Sequence, residues 1–383
     1  MGSNVAFSRG VKLKKAILVA FLCAVVLIIA APPHGNFAAG QSFSGSGSGT
    51  AGDPYMITTV GQLQEMKNNL SAHYALGNDI NASDTVNWNG GAGFEPVGTY
   101  ANGFTGSFDG RGYKINNLYI NRSGTDGVGL FERVSEGGVV KNVGLENVYV
   151  TGHDYVGGLV GRNEGTVSNS YSTGSVGGNW YVGGLVGRNS RTVSNCYSTG
   201  SVSSSYAVGG LVGTNDGTVS NSYSTGLVSG SYEVGGLVGR NDIGTVSNCY
   251  SAGDVNGAGN TVGGLVGFKY SGTVSNSFWD KQTSGQATSD GGIGKTTAEM
   301  KTQSTFTNVG WDFVNIWNIA SNINSGYPFL ALPPPTTITT PAPPPETPYA
   351  IYVGVILIVI VIVGLVTYLL IRRRRRGAGT IRR

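Results

Sequence analysis

The sequence predicts an all-β protein, a parallel β-helix (solenoid) with short helical caps, followed by one C-terminal transmembrane helix. Three observations carry this prediction. The hexapeptide Val-Gly-Gly-Leu-Val-Gly begins at Val156, Val182, Val208, Val234 and Val262, at spacings of 26, 26, 26 and 28 residues. The repeated units are dominated by Gly, Val, Ser, Thr, Tyr and Asn, which are poor in helix interiors and suit short strands and turns. No proline occurs between Pro96 and Pro328, as continuous backbone ladders between coils require. A propeller blade needs roughly 40–50 residues per unit, whereas three short strands joined by tight turns fit one 26-residue coil.

Composition narrows the function classes. Only 12% of the 383 residues are charged and 63 are Gly, against a usual charged share of about 25%. An ordinary soluble enzyme and charge-rich disorder are both disfavoured, and the lack of a third-residue Gly period excludes collagen. Basic residues gather at the two ends, so residues 41–348 hold 14 positive and 21 negative charges, a net of −7. That balance excludes a nucleic-acid-binding surface there.

In chain order, residues 1–40 read as a signal peptide: a basic leader, the apolar run Ala16–Ala31, and cleavage near Gly40. Pro32 and Pro33 weaken an earlier site, so an uncleaved anchor is the alternative. Residues 41–103 form an N-terminal cap and the first irregular coils, with a short helix at 59–70 opened by a capping box of Thr59 and Gln62. Residues 104–278 form the β-helix, regular from 154, and degenerate copies begin at Gly127 and Val140. Residues 279–332 form the C-terminal cap, where Thr296 and Glu299 repeat the capping box and Trp279, Trp311 and Trp317 are expected to plug the end.

Pro333–Pro348, with eight of the 13 prolines, is an extended stalk of up to about 50 Å. Tyr349–Ile371 is 23 residues without charge, about 34 Å of helix, enough to span the membrane. Arg372–Arg376 open a basic tail, residues 372–383, which the positive-inside bias places in the cytoplasm, leaving the rest outside.

Within the coils, period-2 alternation puts Val167, Val193, Val219, Val246 and Val274 inward in one column. Alternation cannot bury both Val156 and Leu159, so Gly157-Gly158 is expected to bend the chain between them. Asn169, Asn195, Asn221, Asn248 and Asn276 are expected to stack as an amide ladder. Tyr171, Tyr197, Tyr223 and Tyr250, with Phe278, form an aromatic column, either stacked internally or presented as a ligand-contact strip. Cys196 and Cys249 lie two coils apart, about 9.6 Å, beyond disulfide reach, and are expected to stay free.

The hexapeptides and the following Gly-Thr-Val-Ser-Asn-(Ser/Cys)-Tyr segments, from 154 to 278, resemble the GLUG motif repeats of secreted bacterial and archaeal surface proteins. The resemblance implies a right-handed β-helix on a cell surface. It implies no peptidase activity, because the repeats are accessory in such chains and no protease motif is present.

Chemistry-bearing patterns are sparse. Gly294-Lys295-Thr296 lacks the earlier glycine of a phosphate loop, which is Ser289 here, and His34, His73 and His153 show no metal-ligand spacing. No catalytic, cofactor-binding or metal residue is assigned, and no cofactor is expected. The rival reading is a β-helix polysaccharide lyase or glycoside hydrolase, for which Asp79, Asp84, Glu95, Asp109 and Arg111 are the candidates. Asn69, Asn81 and Asn121 are the N-glycosylation sequons of residues 41–348. The preferred expectation is a membrane-anchored, non-catalytic surface protein that adheres to or binds extracellular glycans or proteins. A structural envelope role is the further alternative.

Overall fold

A computed structural model describes residues 43–259 and 261–331. The expected signal, stalk, transmembrane helix and tail lie outside the described residues. Among those described, no helix is long and apolar enough to cross a membrane.

The chain winds as an all-β parallel solenoid with three sheets. A nine-stranded sheet runs from Tyr55–Ile57 to Thr273–Ser275, a six-stranded sheet from Phe131–Val134 to Val266–Lys269, and a sixteen-stranded sheet holds the remaining coil segments. Every strand pairing in these sheets is parallel and joins equivalent positions of neighbouring coils, as in Val167↔Val193, Val193↔Val219 and Val219↔Val246. The parallel ladder starts at Tyr55, paired with Tyr74, so the irregular N-terminal coils are already part of the solenoid.

The core is a file of Val and Leu columns. Val167, Val193, Val219 and Val246 are fully buried, and Val274, on the last coil, is partly buried against them. Val156 and Leu159 are both buried, and the chain bends at Gly158-Leu159 between the two sheets. Close approach explains the second glycine of each pair. A methyl group on Gly184 would overlap the buried hydroxyl of Ser198 and the carbonyl oxygen of Gly210 in the next coil. The residue before each of the first four hexapeptides, Tyr155, Tyr181, Ala207 and Glu233, takes positive φ.

Two amide ladders tie the coils together. The expected one forms only in part: Asn169 donates to Asn142 at 3.1 Å, Asn195 to Asn169 at 3.1 Å and Asn248 to Asn221 at 3.4 Å, all from left-handed backbone at the bend, while Asn195 Oδ1 is buried without a partner and breaks the file before Asn221. The second ladder is fully buried. Asn163 donates to Asn189 at 2.8 Å, Asn189 to Asn215 at 2.8 Å and Asn215 to Asn241 at 2.9 Å.

Both capping boxes form, at the helices Val60–Glu65 and Thr297–Met300. Cys196 and Cys249 are buried and unbonded, in one column with Ser222 between them. The three tryptophans divide their work, which corrects the expectation that all plug the end. Trp279 closes the core of the last coil. Trp311 and Trp317 instead pack sideways over the tyrosine column with Met300, Phe306, Tyr327 and Leu330. The column's outer edges are apolar and its own coils do not cover them, so the cap does.

Candidate functional site

Tyr171, Tyr197, Tyr223 and Tyr250 begin equivalent strands after the Asn bend. Their rings stack at centroid distances of 4.6, 4.8 and 5.0 Å, nearly parallel. Each such contact contributes about 0.5–1.5 kcal/mol beyond area burial, so the column's first use is internal. The cap buries its far half: Tyr250 is 0% and Tyr223 4% exposed, and the Tyr250 hydroxyl donates to the Pro328 carbonyl at 2.6 Å. The expected four-ring strip therefore narrows to Tyr171, Tyr197 and the edge of Tyr223. These line a groove of approximately 490 Å³ between the coils and the cap segment Ile323–Leu330.

Ring faces are not available in this groove. Tyr171 lies between Tyr197 and Gly144, where any side chain would overlap its ring. A ligand would meet ring edges and hydroxyls, together with Asn142, Asn169 and Glu146. Glu146 accepts from the Tyr171 hydroxyl at 2.8 Å and pairs with Lys114 at 2.8 Å. Burial pushes its carboxyl up, but the hydrogen bonds from Lys114 and Tyr171 and the Lys114 charge outweigh this and lower its pKa. A carboxyl held ionised in this way is a poor general acid.

Three of the four candidate carboxylates are engaged by partners of their own. Asp79 accepts from the Lys114 backbone at 2.9 Å, and Glu95 pairs with Lys67. Asp109 accepts from the Arg111 backbone at 2.8 Å and the Asn142 amide at 3.0 Å, with Lys141 at 3.4 Å. Asp84 is exposed in the Ser83–Gly91 segment, and the Arg111 side chain turns to the Met56 sulfur. Asp109 reaches the groove through Asn142, and Asp79 through Lys114, which bridges it to Glu146. His73 bonds Ser107 at 2.7 Å. Asn69, Asn81 and Asn121 are all exposed.

A second aromatic column is exposed. Trp180, Tyr206 and Tyr232 occupy one register position in three successive coils, and Trp180 and Tyr232 are 46% and 59% exposed. Arginine–acid pairs stand nearby. Arg188 bonds Asp216 at 2.8 Å, and Arg240 bonds Asp242 at 2.7 Å and both Glu233 and the Tyr206 hydroxyl at 3.1 Å. Recurrence every 26 residues could have revealed this column, but it falls in the variable stretch between the two conserved-looking segments of each repeat.

The same register position holds Asp126 and Asp154 in the two preceding coils, because Val128 pairs with Val156 and Asp154 with Trp180. His153 Nδ1 lies 2.9 Å from Asp126 and 3.4 Å from Asp154. The hydrogen bond to Asp126, then the Asp154 charge, raises the imidazole pKa. Spacing alone concealed this trio, since its members are one coil apart in sequence.

Comparison with known proteins agrees with this repeat geometry. The family model described as the GLUG motif matches residues 152–177, 178–203, 204–229 and 230–256. The chain carries four GLUG repeats. Each GLUG coil thus begins near the corner before the hexapeptide and ends in the variable stretch of the same turn.

Halomucin of Haloquadratum walsbyi is 45% identical over 137 residues, 34% of this chain and 2% of that protein. A Gly-rich membrane protein of Evansella cellulosilytica is 36% identical over 157 residues, 40% of this chain and 18% of that protein. The chain thus spans a small part of either relative's length. A crystal structure from Bacteroides ovatus, described as an immunoglobulin A1 protease, superposes with a TM-score of 0.58 at 22% identity. It covers 75% of this chain and 94% of that one, a likeness of fold.

Proposed function

We propose that this chain is a single-pass cell-surface protein whose GLUG coils form a non-catalytic module binding extracellular glycans or proteins. The observation that carries the reading is the column of Trp180, Tyr206 and Tyr232, one aromatic ring per coil, exposed at Trp180 and Tyr232 and with the Arg240–Glu233 pair on the Tyr206 hydroxyl. Aromatic surface with hydrogen-bonding groups at its margin suits sugar rings and peptide alike, and repetition suits many weak contacts. The engagement of Asp79, Glu95 and Asp109 by partners of their own supports a non-catalytic role. In this reading the coils wind right-handed, the hand that parallel crossovers favour.

The apolar run Tyr349–Ile371 and the arginines after it support a membrane anchor with a cytoplasmic tail, and one relative's description as a membrane protein agrees. Protease added to intact cells should then release the coils and leave a small membrane fragment. Protection of the coils would reject this topology.

Binding is tested on glycan and matrix-protein arrays with residues 41–348. Alanine at Trp180, Tyr206 and Tyr232 should weaken attachment stepwise. Alanine at Tyr171 and Tyr197 reports separately on the groove. No attachment to any surface would favour a structural envelope role. Release of new sugar ends, abolished by Glu146→Gln or Asp109→Asn, would establish the enzyme reading instead.

A further inference from the structure

The geometry points to a binding site for a divalent first-row transition cation, such as Zn²⁺, formed by Asp126, His153 and Asp154. We infer this from the placement of these groups, independently of the glycan-binding reading. One ligand atom from each lies within 4.8 Å of the others.

Three features distinguish the trio from a chance surface cluster. Two carboxylates from neighbouring coils converge on one imidazole, with His153 Nδ1 2.9 Å from Asp126 and 3.4 Å from Asp154. Asp154 Oδ1 is shut off from solvent and makes no hydrogen bond, its charged neighbour being His153 Nδ1 at 3.4 Å. The backbone holds the ligands in place. The His153 amide donates to the Thr125 carbonyl at 2.8 Å and the Gly127 amide to the Asp154 carbonyl at 2.7 Å, fastening the two coils on either side of the gap.

The donor set selects the ion. Calcium and magnesium favour all-oxygen shells, whereas an imidazole with two carboxylates suits zinc and its neighbours. His153 and Asp126 are about half exposed, so water or a ligand donor can complete the shell. The next residue in the column is Trp180, the first ring of the aromatic file.

The test uses the full chain in detergent after chelator treatment, titrated with Co²⁺ as a spectroscopic probe and then with Zn²⁺ as competitor. Visible absorption reports binding, and circular dichroism confirms folding of each variant. His153→Gln and Asp126→Asn, both at exposed positions, should each weaken Co²⁺ binding by about tenfold or more. Zn²⁺ should displace Co²⁺ and slow acylation of the His153 ring by diethylpyrocarbonate. Equal Co²⁺ binding by the wild type and both variants, or no binding by the wild type, would overturn the site and leave His153 as an imidazolium bridge between the carboxylates.

Discussion

At the scale of single residues, the buried amides do the most to lock the coils together. Asn189 both accepts from Asn163 and donates to Asn215 in a column closed to water. Asn189→Ala should strand a donor below and an acceptor above, costing roughly 2–4 kcal/mol, because each buried group left unsatisfied costs about 1–3 kcal/mol. A denaturation midpoint close to wild type would contradict the ladder. The buried thiols offer a second check. Burial pushes Cys196 and Cys249 each up to about 12, so neither should react with a thiol reagent near pH 8 until the coils unfold. Reaction in the folded state would show that the core opens. Legibility differs between the two Asn columns. Asn169 and its copies stand out in a recurring Ser-Asn bend, whereas Asn163 follows Arg162 and looks like a polar corner. Its burial depends on a neighbour one coil away, which local alternation does not represent.

Among the elements, the caps were legible in their local chemistry and hidden in their destination. Thr59 with Gln62 and Thr296 with Glu299 follow from spacing alone, and both boxes form. Hydrogen bonds from the Thr296 backbone and hydroxyl, then from Lys295, lower the Glu299 carboxyl to about 2. Because the folded value lies below the ordinary glutamate value of about 4.3, the cap's contribution is complete above that value and is lost as pH falls through 2. Carboxyl NMR of Glu299 should show this low midpoint, and Glu299→Gln should keep the helix start without the pH dependence. A midpoint near 4 would mean the box is not formed in solution. That Trp311 and Trp317 would leave the solenoid's end for the tyrosine column was not readable. Their sequence neighbourhood is irregular, and the choice rests on which apolar edge remains uncovered.

For the molecule as a whole, regular winding makes the coils nearly interchangeable. Deleting 178–203, one complete GLUG repeat, brings Val219 onto Val167 and Asn215 onto Asn163. The shortened chain should fold and unfold cooperatively, with a denaturant slope reduced in step with the surface removed. Loss of cooperative unfolding would mean that this coil is unique. The architecture was the most legible level because one periodicity determines it. The candidate sites were the least legible, since Glu146, Trp180 and the Asp126–His153–Asp154 trio acquire meaning only when coils are superimposed.

The sideways cap has a consequence for how such a chain keeps its frame. Coils this alike could shift by one whole repeat during folding and still bury valine on valine and asparagine on asparagine, so the ladder alone cannot detect the slip. Trp317 packs on both Tyr223 and Tyr250, and Asn324 donates to the Tyr250 hydroxyl at 2.7 Å. Trp311 reaches the Asn276 carbonyl at 2.8 Å. One cap thereby grips Tyr223, Tyr250 and Asn276 from three successive coils at once, so it fastens those coils to each other from outside the ladder.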